Sequence, residues 1–336
     1  MGNYGIPYMG SKNTIAHIII DVLPKADNFY DLFYGGCSIT HVAMLSKKYK
    51  HIIFNDIDKD LPQLFLDSIH GKYKKEKRWI SKEDFEKEKD NSAYIRCVWS
   101  FGNKGTNYLY GKEIEPYKKA YWYAVMFNDY SLFWNLGINI PKCNATTYKD
   151  RRLKVKQLLT KEVAKIRKQL KLRKNYIDLQ YENNQSLERL ERLQSLERLE
   201  RLQSLQSLES LERLQSLEMF TKSYDQVPIK ENSIVYCDIP YENTAEYVNS
   251  GFYHKKFYDW ACNQKELVVI SSYNISDDRF QRVVNLKKAG TLNGGSTGKN
   301  LNEGLFIPKH QKELWDKMRY SNEQWCKTML YSTKWL

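Results

Sequence analysis

A chain of 336 residues, 42% hydrophobic and 14% aromatic, has ample material for a packed core, which excludes wholesale disorder. No stretch approaches ~18 uninterrupted apolar residues, which excludes a membrane span, and no charged-then-apolar leader is present, which points to the cytoplasm. A formal net charge of +13 favours a polyanionic partner, nucleic acid ahead of none at all. The length suits one large domain with an insertion, or two domains. Six scattered cysteines without a CxxC pair read as reduced structural thiols, and six dispersed histidines without an HExxH pair argue against a metal site.

The first predicted strand is the aromatic run Asn28 to Tyr34, which enters Gly35-Gly36-Cys37-Ser38 and then a helix-like stretch, Ile39 to Lys48. A second strand, His51 to Phe54, ends in Asn55-Asp56. Strand, glycine turn, helix and strand ending in an acid open a doubly wound α/β sheet. Two adjacent glycines let a ligand approach the backbone, and the helix behind them offers free N–H groups. The turn lacks the GxGxxG spacing of a pyrophosphate-binding loop. Asp56 stands at the strand end, where an acid can accept both ribose hydroxyls of a nucleoside. A nucleoside cofactor without a pyrophosphate fits this pair, and S-adenosylmethionine is the common one. Gly-Gly turns and strand-end acids are also frequent in α/β proteins at large.

From about residue 60 to 183 the strand–helix rhythm fails. Lysine-rich stretches alternate with aromatic helix-like segments such as Ala120 to Leu136. Between Arg151 and Lys174 lie eleven basic residues, with Glu162 the only acid. This predicts a basic helical insertion; a solvated charged helix is the plainer alternative. Residues 185–217 are then a three-residue repeat of QSL, ERL and ESL, with eleven leucines, five arginines and six glutamates. Period 2 is absent, which disfavours a strand. On an α-helix each step of three turns a leucine by about −60°, so no face is kept; a 3₁₀ helix would align the leucines but rarely runs beyond about four residues. Composition favours an α-helix, a repeat solenoid is the alternative, and the role expected is that of a spacer able to mediate self-association.

The α/β rhythm resumes with a strand Ser233 to Cys237, ending in Asp238-Ile239-Pro240-Tyr241, and another at Leu267 to Tyr273. A strand-end carboxylate, a rigid turn and an aromatic ring form a compact device for holding a planar base and its exocyclic amine. A carboxylate and a backbone carbonyl accepting both N6 hydrogens of adenine would free the nitrogen's lone pair for a methyl group. The tyrosine would stack on a base turned out of the duplex.

With these residues in view, the chain resembles the Dam-like DNA adenine-N6 methyltransferases of phage and restriction–modification systems. Four blocks carry the resemblance in order: PYMGSK at 7–12, DLFYGGCS at 31–38, FNDID at 54–58 and CDIPY at 237–241. VVISSYN at 268–274, SFGNKGTNYLYG at 100–111 and GSTGKNLNEGLFIP at 295–308 are also similar to family segments. The resemblance implies a Rossmann-like, S-adenosylmethionine-dependent α/β sheet interrupted by a basic, mostly helical target-recognition region. It implies a catalytic domain at 1–60 and 218–336, a DNA-recognition insertion at 61–184 and the repeat at 185–217. Tyr8 and Lys12 would be cofactor contacts, Phe33, Gly35 and Gly36 would line the methionine side, and Asp56 would hold the ribose. Asp238 would face cofactor and adenine, with Ile239, Pro240 and Tyr241 completing the catalytic tetrapeptide. The family's usual Asp-Pro-Pro-Tyr has Ile239 in place of its first proline, where a backbone carbonyl is what the chemistry requires. The expected partner is double-stranded DNA, with no membrane and no metal, in a bacterial or phage-infected cell. A catalytically silent DNA-binding homologue and an RNA adenine methyltransferase are the competing readings.

Overall fold

The computed structural model of the chain describes residues 4–172, 201–202, 204–206, 208–211, 216–242, 252–286 and 303–320. Two compact units divide it: residues 1–74 with 204–336, and residues 75–203.

The first unit is built on a seven-stranded sheet, β1 (Asn28–Asp31), β2 (His51–Asn55), β3 (Ser216–Phe220), β4 (Ser233–Cys237), β5 (Leu267–Ser272), β6 (Phe280–Leu286) and β7 (Glu303–Pro308). The order is β3-β2-β1-β4-β5-β7-β6. Tyr30 sits opposite Ile53 on one side and Val235 on the other, both in parallel pairs, and β4 runs parallel to β5. Only β7 is reversed, antiparallel to β5 and β6. Every residue of β1, β4, β5 and β7 is buried, the pattern of strands covered on both faces. Helices α1 (Ala16–Val22), α2 (Ser38–Ser46) and α3 (Asp60–Ile69) follow the N-terminal segment, β1 and β2 in turn. Chain order reverses between β1 and β4, so the carboxyl ends of these two neighbouring strands open the crevice where α/β sheets bind ligands.

The first strand is shorter than its aromatic run predicts. It ends at Asp31 because the chain must leave the ladder to make the glycine turn, in which Gly35 and Cys37 take left-handed φ values of 46° and 54°.

The second unit is helical, with α4 (Lys82–Glu88), α5 (Ala93–Val98), α6 (Glu115–Phe127), α7 (Ser131–Asn135) and α8 (Tyr148–Leu172). Trp79, Trp99 and Trp122 are buried together at its core, with Tyr108 and Tyr110 packed against them. The single helical segment expected over Ala120 to Leu136 is broken, because Asn128 caps α6 in the left-handed region. The basic run forms α8, which buries Val155, Leu159 and Val163 at four-residue spacing and leaves Lys154, Lys156, Lys161 and Lys165 exposed. Arg151 is not part of that exposed face. Its guanidinium is buried and donates to the carbonyls of Val125, Met126 and Thr146, closing the C-terminal turn of α6.

The C-terminal end of the repeat, expected as a spacer, makes specific contacts with its neighbours. In the second unit Arg201 donates to the carbonyls of Val98 and Ser100, and Leu202 is buried. In the first unit Leu205, Leu208 and Leu211 are buried, and Leu208–Leu211 is a 3₁₀ turn packed on α3. There, three residues per turn stack the two leucines on one side, as the triplet spacing requires. Ser216 and Leu217, for which no strand was expected, belong to edge strand β3 because β2 supplies the hydrogen-bonding partner. Residues 185–200, 203, 207 and 212–215 of the repeat and the glycine-rich stretch 290–298 lie outside the described residues.

α9 (His254–Cys262) precedes β5, and α10 (Lys312–Tyr320) follows β7. No helix among the described residues is long and apolar enough to cross a membrane.

Candidate active site

The N-terminal segment reaches the sheet through a strap of close backbone contacts. Ile6 N–H donates to the Gly36 carbonyl at 2.9 Å and Gly5 N–H to His41 Nδ1 at 2.9 Å. A Cβ added to Gly36 would stand 2.8 Å from Tyr8 Cβ, and one on Gly5 2.1 Å from the Gly36 carbonyl oxygen, so the two segments meet only because both residues are glycine. From the repeat, Ser204 Oγ donates to the Gly5 carbonyl at 3.0 Å, behind the same turn.

In front of this strap lies a cavity of about 950 Å³ at the carboxyl ends of β1 and β4. Tyr8, Lys12, Phe33, Gly35, Gly36, Asp56 and the whole tetrapeptide from Asp238 to Tyr241 line it. All the residues singled out from the sequence are therefore brought to one cavity. Asp56 holds the turn itself, its Oδ2 accepting from Gly35 N–H at 2.8 Å and its Oδ1 from Asp58 N–H at 3.0 Å. Burial raises its carboxyl above the ordinary range, while these N–H donors pull it back. Phe33 packs edge-on against Phe252 and Phe257, so the wall it forms is continuous with the hydrophobic core.

Lys12 stands closer to the Asp238–Tyr241 tetrapeptide than a cofactor role alone predicts. Its ammonium lies 2.7 Å from Asp238 Oδ2 and 3.4 Å from Glu303 Oε1, and over the Tyr241 ring. Burial alone would lower the Lys12 pKa, but the two carboxylates outweigh it and hold the ammonium above its ordinary value. Asp238 is raised, chiefly by burial and further by Glu303, against the opposing pull of Lys12. Ile239 packs into the core beneath the site, which explains why an apolar residue replaces proline there without cost to burial. The Pro240 carbonyl is engaged by His254 Nε2 at 2.7 Å, tying the turn to the start of α9.

Three residues of the site were not selected from the sequence. Glu303 is buried on β7 and accepts from Tyr241 Oη at 2.7 Å and Ser271 Oγ at 2.5 Å. Its only signal was its place inside the GSTGKNLNEGLFIP block. His254 had none. Asp31, at the end of β1, is fully buried; Thr40 Oγ1 donates to its Oδ2 at 2.7 Å, and its Oδ1 has no partner. Burial pushes this carboxyl up to about 7. Among the described residues no group of three or more His, Cys, Asp or Glu side chains is placed to hold a metal.

A crevice at the reversal of a seven-stranded sheet, a glycine turn braced by a strand-end acid, and a lysine-paired Asp-x-Pro-Tyr constitute this site. No curated protein matches the chain. The family described as D12 class N6 adenine-specific DNA methyltransferase matches residues 8–289, and the chain belongs to it: it is an adenine-specific DNA methyltransferase.

Proposed function

We propose that the chain transfers a methyl group from S-adenosylmethionine to N6 of an adenine turned out of duplex DNA, at a specific sequence. The observation that carries this reading is the convergence of Asp238 and Tyr241 with Asp56 and the glycine turn on one cavity. The residues present fit the cofactor. Asp56 offers a strand-end carboxylate to a ribose, Gly35 and Gly36 bring backbone within reach, and the orphaned Oδ1 of Asp31 sits buried at the cavity wall, where a cationic ligand group would compensate it. Exposed Ile57, next to Asp56 on the cavity rim, offers an apolar surface to a purine.

A bound cofactor would supply an electrophilic, sulfonium-held methyl carbon to the N6 lone pair, and the one N6 proton not kept in the methylated product would leave to solvent. The chain's own contribution is orientation. Asp238 accepts one N6 hydrogen and the Ile239 carbonyl the other, drawing the nitrogen toward tetrahedral geometry and localising its lone pair. Lys12 opposes the effect of burial on Asp238 and so favours its ionised form, and Tyr241 provides a ring for the displaced base to stack on. The basic face of α8 would supply phosphate contacts, with the 75–203 unit as the target-recognition region.

Incubation with a methyl-labelled donor and either duplex DNA or RNA, followed by digestion, tests the reading. N6-methyladenine is expected from DNA and not from RNA. Asp238→Ala should lose at least ~10²-fold in turnover while keeping its fold, by analogy with removal of a transition-state hydrogen-bond partner. Near wild-type methylation by that variant would remove Asp238 from the mechanism.

A further inference from the structure

Glu303 lies beyond the segment matched by the family, yet its carboxylate is buried at the centre of the site. It accepts from Ser271 of β5, from Tyr241 of the tetrapeptide and, at 3.4 Å, from the Lys12 ammonium. Because one ammonium touches both carboxylates, Glu303 and Asp238 are held within about 6 Å of each other, the range over which charges perturb one another's ionisation. The carboxylate thus takes three side-chain donors, two hydroxyls and an ammonium.

We propose that Glu303 is a positioning residue for methyl transfer, which sets the orientation of Tyr241 for the displaced adenine and divides the Lys12 charge so that Asp238 is not fully neutralised by it. The inference rests on the tetrapeptide reading given above. Two separable effects follow. The first is geometric: the Tyr241 hydroxyl is anchored to a strand, which fixes the ring before a base arrives. The second is electrostatic: a second anion competes for Lys12, leaving Asp238 a stronger acceptor toward the N6 hydrogens. Among the described residues the groups facing Asp238 are Lys12 from the N-terminal segment, Asp31 from β1, Tyr236 and Cys237 from β4, Tyr241 from the following turn and Glu303 from β7. Among them only Lys12 and Glu303 sit on the same ammonium bridge, so substitution at 303 shifts the balance directly.

The test uses the full chain with Glu303→Gln and Glu303→Asp, compared in single-turnover methylation of duplex DNA across pH. Glu303→Gln removes a like charge and frees Lys12 for Asp238. Both changes make Asp238 easier to ionise, so the acidic limb of the rate profile is expected to move down by at least about 0.5 pH unit. Glu303→Asp retains the charge but shortens the reach to Tyr241, so the limb is expected to stay in place while the transfer rate falls about tenfold or more and the KM for DNA rises. A Glu303→Gln enzyme with the wild-type limb and rate overturns the proposal. So does Glu303→Asp with a wild-type rate, which also serves if Glu303→Gln does not fold. Absence of N6-methyladenine from the unaltered chain would instead overturn the function on which the proposal rests.

Discussion

Individual carboxylates in this site are distinguished by what surrounds them. Asp56 accepts two backbone N–H groups and braces the glycine turn, so its removal should loosen cofactor binding more than it slows transfer. In Asp56→Ala, the donor concentration giving half-maximal methylation is expected to rise at least about tenfold, with a smaller fall in the maximal rate. An unchanged donor requirement would remove the ribose role. Asp31 differs because one of its oxygens is buried without a partner and its pKa is raised to about 7 from an ordinary 3.8. The folded protein therefore holds this proton more tightly than the unfolded chain does. Stability is lost as pH rises from about 4 through 7, since ionisation then favours unfolding. Asp31→Asn abolishes that loss and keeps an acceptor for Thr40. Its unfolding free energy from urea titration, measured without ligand, should exceed the wild type's by an amount that grows from pH 5 to pH 8, on the order of 2–4 kcal/mol at the upper end. A pH-independent difference would mean that Asp31 does not titrate in this range.

At the scale of elements, the triplet repeat shows how a monotonous pattern acquires a role from its neighbours. Composition alone favours a featureless helix, yet Leu208 and Leu211 stack in a 3₁₀ turn on α3, and Ser204 braces the Gly5 strap behind the glycine turn. Leu208→Ala is expected to cost ~2–5 kcal/mol in equilibrium unfolding, as for a buried leucine in a packed core. Deletion of the five triplets from Gln185 to Leu199 should leave melting and methylation near wild type. Extending that deletion through Leu202 removes Arg201 from the Val98 and Ser100 carbonyls and should lower stability. Equal melting temperatures for the two deletions would return the whole repeat to a spacer.

Across the molecule, charge is distributed unevenly. Residues 75–203 hold 28 Lys and Arg against 17 Asp and Glu, a net +11 of the chain's +13, whereas the sheet unit is nearly neutral. Affinity for DNA should therefore fall steeply with salt, and the exposed lysines of α8 should carry a share of that dependence. Replacing Lys154, Lys156, Lys161 and Lys165 with Gln is expected to reduce the slope of log K against log[salt] by up to about 3–4, if each contacts a phosphate. Arg151→Ala should leave the slope unchanged and lower stability instead, because its guanidinium is committed to carbonyls of α6 and the α6–α8 connection. An unaltered slope in the lysine variant would place the phosphate contacts elsewhere.

Much of the site was legible in the sequence because its key positions are defined locally. A strand-end acid, a pair of glycines before a helix and an Asp-x-Pro-Tyr turn each carry their geometry in a few consecutive residues, and the α/β rhythm brings strand ends to a common edge. What sequence alone could not determine depends on register and on which strands become neighbours. Lys12 meets Asp238 only because the N-terminal strap docks on the Gly36 turn, and Glu303 reaches Lys12 and Tyr241 only because β7 inserts antiparallel beside β5. The eleven basic residues of the 151–174 run look alike in composition, but the packing of α8 on α6 sends Arg151 inward and leaves Lys154, Lys156, Lys161 and Lys165 in water. Local chain geometry is written in neighbouring residues; burial, and with it the pairing and ionisation of charged groups, is decided by segments that meet only after folding.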